Sequence, residues 1–277
     1  WSLTEHLLST YEGEYKAATQ HPFLLAAAEG RLPKDVLGQW LANDRLYIHS
    51  YIRAAGKMLA SVDLPPQAHQ PEAAETQLVD WLIEALAAVR KEERFFIDVA
   101  ARYGLGVELG ELGELGELGV QGVQGVQGGK VPGLVLMEGL FAGVGRPELG
   151  PVTAAAERPP EILIPWLEGA VTFWGTERCY LDAWSWAKSK EPLARGTPDA
   201  REDADGGALR KEFIPNWSSA EFAQFVGRLG SLIDFTVADA LQKAGDGADA
   251  VKEAILARVE GKWKSLLAAE ATFWPEI

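Results

Sequence analysis

Three acids stand where a helix would be expected to carry apolar residues. Asp44 lies in "QWLANDRLYIHSY", Glu177 in "WGTERCYLDAWSWAK" and Glu270 in "SLLAAEATFW". At helical offsets of three and four, Asp44 shares a face with Trp40, Leu41, Tyr47 and Ile48. Glu177 shares one with Phe173, Trp174, Tyr180 and Leu181, and Glu270 with Leu266, Leu267, Phe273 and Trp274. A carboxylate on such a face either finds a partner or stays protonated, because burying its charge alone is costly. Brought into one pocket, three such acids could bind a polar edge and move protons. The competing reading answers each acid locally. Asp44 would pair with Arg45 or Arg53, Glu177 with Arg178 or Lys188, and Glu270 would sit on the rim of a frayed terminus.

Other chemistries find less support. Cys179 stands two places from Glu177, about 200° around a helix, so only one of them can face a given pocket. Cys179 reads as packed core, since a buried Cys is usually inert. A single cysteine excludes an internal disulfide and a multi-thiolate metal site. The four histidines, His6, His21, His49 and His69, read as core-edge residues. No Glu has a His three places later, as a di-iron bundle would want, and neither a phosphate-binding loop nor a Gly-x-Ser-x-Gly elbow occurs. No metal and no cofactor are expected.

The net charge of −14 argues against nucleic acid and against anionic lipid as partners. No apolar run approaches the roughly 20 residues of a membrane span, and the first residues do not read as a signal peptide. The expectation is a soluble, cytoplasmic protein.

Helical periodicity dominates the elements that must position these acids. Leu3, Leu7, Leu8, Tyr11 and Tyr15 mark a first helix, with a capping box in Ser2 to Glu5. "HPFLLAAAEG" reads as a short helix ended by Gly30. The strongest signal recurs through Val36, Leu37, Trp40, Leu41, Tyr47, Ile48, Tyr51 and Ile52, and Pro65 and Pro66 end it. A third long helix is predicted from about Pro71 to Tyr103, stopped by Gly104. Others are predicted around Val131–Gly143, Pro160–Lys190, Ser218–Lys243 and Ala248–Trp274. No stretch alternates convincingly enough for a strand. The fold class is all-α, a single domain over 1–277, with nearly half the residues hydrophobic and ten tryptophans to fill its core.

Three segments break the pattern and read as mobile loops, at about 104–130, 143–160 and 190–213. The first carries an exact triplet repeat, "ELGELGELGELGVQGVQGVQGG", with Gly too dense for a helix.

The motifs carry a resemblance. "HPFLLAAAEGRLPKDVLGQWLANDRLYIHSYIRAAGKML" is similar to the opening of TenA-type, thiaminase-II-like proteins, and "AAEATFWPEI" to that family's terminal Glu-x-x-Phe-Trp element. "WGTERCYLDAWSWA" resembles the branch that has Glu in place of a nucleophilic Cys, and "NWSSAEF" a family step before the penultimate helix. The resemblance implies a heme-oxygenase-like helical bundle that binds no heme. It implies hydrolysis of an aminomethyl- or formylaminomethyl-pyrimidine in thiamin salvage, by a homo-oligomer. Asp44 would then bind the aminopyrimidine edge, Glu270 would be the general acid/base, and Glu177 would stand in the nucleophile's place. Tyr47, Trp174, Tyr180 and Trp217 would supply aromatic walls. One departure is that "VPGLVLMEGLF" lacks the Tyr usual on that helix. Two alternatives remain: a non-catalytic pyrimidine-binding protein of the same fold, and a helical interaction protein.

Overall fold

The computed structural model describes residues 1–67, 70–109, 129–145, 163–191 and 199–277. Ten α-helices make up most of these residues. They are α1 (Leu3–Thr10), α2 (Glu12–Thr19), α3 (Pro22–Ala28), α4 (Lys34–Ser61), α5 (Ala74–Tyr103), α6 (Pro132–Gly143), α7 (Leu167–Lys190), α8 (Ile214–Trp217), α9 (Ala220–Ala244) and α10 (Ala248–Ala271). No strand occurs among the described residues. The all-α expectation holds, and the helices pack around two apolar clusters with Tyr47 and Val89 against both.

The long helices begin and end where local chemistry requires. The Ser2 hydroxyl accepts the Glu5 amide at 3.0 Å and so caps α1. His21 Nδ1 accepts the Phe23 amide at the start of α3, with Pro22 in the first turn. Gly104, at φ 66°, closes α5 in the left-handed conformation that a side chain would resist. The single first helix expected from the sequence is instead two, broken at Tyr11. Both pieces still bury one face, through Leu3, Leu7, Tyr11 and Ala18.

Helix α10 packs against α6, α7, α2 and α9, α7 also against α3, α8 and α9, and α4 on α5 and α6. The approach of α6 to α10 is close. A Cβ on Gly133 would fall 2.3 Å from the Ala269 carbonyl oxygen and 2.3 Å from the Phe273 amide nitrogen. Buried Asn43 aligns α6 with α4: its Oδ1 accepts the Val131 amide at 2.9 Å, and its amide group donates to Gln39 O.

The segment expected to be loop at 190–213 needs correction over its second half. Residues 199–213 are built into the bundle. Buried Asp205 accepts the Gly207 and Leu209 amides at 2.8 Å each, Asp203 pairs with Arg210, and Leu209 and Phe213 enter the core. Polar composition concealed this, because Asp205 caps backbone amides and Asp203 pairs with Arg210. Residues 192–198, most of the triplet repeat (110–128), the Pro/Gly stretch 146–160 and His69 lie outside the described residues. Among the described residues, no helix is long and apolar enough to cross a membrane.

Candidate functional site

Helix α4 carries Asp44, Tyr47 and Tyr51, α7 carries Glu177 and Tyr180, and α10 carries Glu270. All three acids are buried. Their basic sequence neighbours are engaged elsewhere. Arg45 bonds Glu93 and the Val107 carbonyl, Arg53 bonds Ser50, and Arg178 bonds Asp182 at 2.9 Å. The local-pairing reading therefore fails for Asp44 and for Glu177 with Arg178.

Asp44 finds a partner across the bundle: the Tyr180 hydroxyl donates to its Oδ2 at 3.1 Å. Asp44 and Glu270 line the same small cavity, with Tyr47, Met137, Tyr180, Phe273 and Trp274. As it stands, the cavity has room for about one water molecule. Met137 and Phe141 are buried on α6, the helix that lacks a Tyr. Glu177 lies outside the cavity lining but within electrostatic reach of Asp44 and Glu270. The Tyr51 hydroxyl stands beside Glu177 and is buried without a hydrogen-bond partner among the described residues.

Burial sets the ionisation of this cluster. It pushes the Asp44 carboxyl up to about 8, against the Tyr180 hydrogen bond, with the charges of Glu92 and Glu177 adding to the rise. Burial pushes Glu177 up to about 7, with Tyr51 opposing and Glu92 adding. Burial, then Asp44 and Glu177, hold Glu270 well above the usual carboxylate range. The site is thus a set of acids that keep protons near neutrality, under a wall of rings. Cys179 is buried, and burial pushes its thiol up, as an inert core residue requires.

The aromatic candidates divide. Tyr47 packs edge-on to Phe273, with centroids 6.0 Å apart, and Tyr180 stands 5.4 Å from Trp217. Trp217 forms a second layer behind Tyr180, packed on Trp40, Trp184 and Phe213. Trp174 turns away: it stacks on Trp263 at 5.5 Å and abuts Gly230. Six residues separate Trp174 from Tyr180, which sets them about 120° apart around α7, too far to share one wall. Two buried or half-buried acids went unnoticed in the sequence, Glu92 and Glu93. Both sit in "VRKEERFF", whose charge density reads as a solvated face. Among the described residues no group of three His, Cys, Asp or Glu is placed to hold a metal ion.

Comparison with known proteins bears on this arrangement. A family model described as the TENA/THI-4/PQQC family matches residues 9–85, which contain Asp44, Tyr47 and Tyr51. Over residues 9–85 the chain is similar to that family. Beyond that segment the fold carries the likeness. A TenA homologue from Pyrococcus furiosus superposes with a TM-score of 0.61 at 19% identity, covering 98% of this chain and 97% of that one. A TenA homologue from P. horikoshii OT3 gives 0.58 at 16%, covering 99% and 97%, and one from Pseudomonas syringae 0.61 at 10%, covering 98% and 90%. A curated relative from Fusarium pseudograminearum, named "Probable transcription factor", is 25% identical over an alignment of 270 residues that covers 89% of this chain. The chain spans about half the length of that relative (47%).

Proposed function

We propose that the chain is a TenA-like hydrolase of an aminomethyl- or formylaminomethyl-pyrimidine, acting in thiamin salvage in the cytoplasm, and belonging to the branch with Glu in the nucleophile's place. The observation that carries this reading is the cavity shared by Asp44 and Glu270, with Tyr180 bonded to Asp44. A carboxyl that keeps its proton near neutrality suits the edge of a 4-aminopyrimidine. Its O–H can donate to the ring nitrogen while its other oxygen accepts from the exocyclic amine. Tyr180 fixes the carboxyl plane, and Tyr47 and Phe273 flank the ring. The ring must displace Met137, whose flexible side chain can yield.

Protonated Glu270 then donates to the leaving nitrogen as water displaces it, from the methylene carbon in the amine substrate or from the formyl carbon in the formamide. Glu177, poised to ionise near pH 7, orients or deprotonates the attacking water. The products are a hydroxymethyl-pyrimidine and ammonia from the amine, or an aminomethyl-pyrimidine and formate from the formamide.

The test is product chromatography after incubation with each pyrimidine. Turnover by wild type that falls about 10²-fold or more in Glu270→Gln supports the reading. The same absence of product in both contradicts it. The second reading, binding without turnover, draws on the relative named as a transcription factor, in which a similar module is part of a longer chain. It predicts ligand-induced thermal stabilisation that survives Glu270→Gln, with no product from wild type.

A further inference from the structure

Glu92 is the carboxylate of this region that the mechanism above leaves unused. It stands on α5 beside Glu93, yet the two have opposite surroundings. Glu93 takes Arg45, Arg90 and His49. Glu92 faces the α8 turn and takes neutral donors: the Trp217 indole N–H at 2.6 Å on Oε1, and the Asn216 amide at 3.1 Å on both oxygens. Trp217 in turn packs edge-on to Tyr180 at 5.4 Å, and Tyr180 bonds Asp44. A path of direct contacts therefore runs from Glu92 through the Trp217 ring to the carboxyl that lines the cavity.

We infer that Glu92 is a positioning residue of the acid site: it fastens the Trp217 indole, which backs Tyr180 against Asp44, and its charge acts on Asp44 and Glu177 behind that wall. Holding an indole N–H requires only an acceptor, and a Gln would serve. Burial raises the Glu92 carboxyl itself, against the Trp217 and Asn216 hydrogen bonds and the charge of Lys91; once ionised it adds a like charge near Asp44 and Glu177, which helps both to keep their protons. The anchoring and the charge are separable, because Glu92→Gln keeps the acceptor and removes the charge, whereas Glu92→Ala removes both. The relevance of Glu92 to pyrimidine handling rests on the function proposed above; its effect on the two acids does not.

The first measurement needs no ligand. Carbon-13 titration of the Asp44 and Glu177 carboxyls, assigned with Asp44→Asn and Glu177→Gln, is followed from pH 5 to 9 in wild type and Glu92→Gln. Both midpoints are expected to fall by at least about half a pH unit in Glu92→Gln. Unmoved midpoints would overturn the electrostatic role. The second measurement is calorimetry with the aminomethyl-pyrimidine. Glu92→Ala should weaken binding about tenfold, and Glu92→Gln should restore it to within about threefold of wild type. Equal affinity in Glu92→Ala and wild type would overturn the anchoring role. If wild type binds no pyrimidine, the proposed function fails, while the carboxyl titration still decides whether Glu92 governs the acids.

Discussion

Tyr180 on α7 donates its hydroxyl to Asp44 on α4 at 3.1 Å, tying together two helices that meet at the cavity. The bond orients the carboxyl and leaves its second oxygen for another partner. Tyr180→Phe should keep the ring packing against Trp40 and Trp217 and lose this orientation. Affinity for the aminomethyl-pyrimidine is expected to fall about tenfold, with little change in thermal midpoint. Isothermal calorimetry beside a melting curve checks both.

Stability should fall as pH rises through the neutral range. A carboxyl that ionises less readily in the folded chain than in the unfolded one makes folding take up a proton. For Asp44 the loss begins near the ordinary Asp value of about 4 and is complete only above about 8. Asp44→Asn removes this contribution. Between pH 5 and 8.5 its melting temperature should drop about 7 °C less than that of wild type, measured by calorimetric scans.

The contact of α6 with α10 predicts an intolerant glycine. Gly133→Ala drives a methyl group against the Ala269 carbonyl and the Phe273 backbone, which cannot swing aside as a side chain could. A cost of about 1–3 kcal/mol is expected in denaturant melts, with turnover reduced because Glu270 and Phe273 shift together.

Cys179 and Glu177 should behave in opposite ways despite being two residues apart. Cys179→Ala is expected to leave turnover within about threefold of wild type and to cost about 1 kcal/mol of stability. Glu177→Gln should fold normally and lose about 10²-fold in rate. Steady-state kinetics on both variants checks the contrast.

The long helices were legible because their apolar residues keep a 3.6-residue period and their ends carry strong stop signals, Gly104 above all. The break at Tyr11 was not, since the apolar stripe continues across it. Asp44, Glu177 and Glu270 could be found in sequence because an acid on an apolar stripe is conspicuous. Trp174 shows the limit of that logic: sharing a face with Glu177 did not bring it to the wall shared by Tyr180, because a helix face spans more than one neighbour. Glu92 was hidden for the opposite reason. Its flanking charges suggest water, and its partners Asn216 and Trp217 lie more than a hundred residues away. The capping role of Asp205 was hidden likewise inside a polar stretch.

The central claim, common to the hydrolase and the binding-only readings, is that Asp44 recognises an aminopyrimidine edge in this buried cavity. Calorimetric titration of the aminomethyl-pyrimidine into wild type and Asp44→Asn tests it most directly. The account predicts saturable binding to wild type at one site per chain, weakened at least about tenfold in Asp44→Asn. Equal affinity in the two proteins, or no binding to wild type, would contradict it.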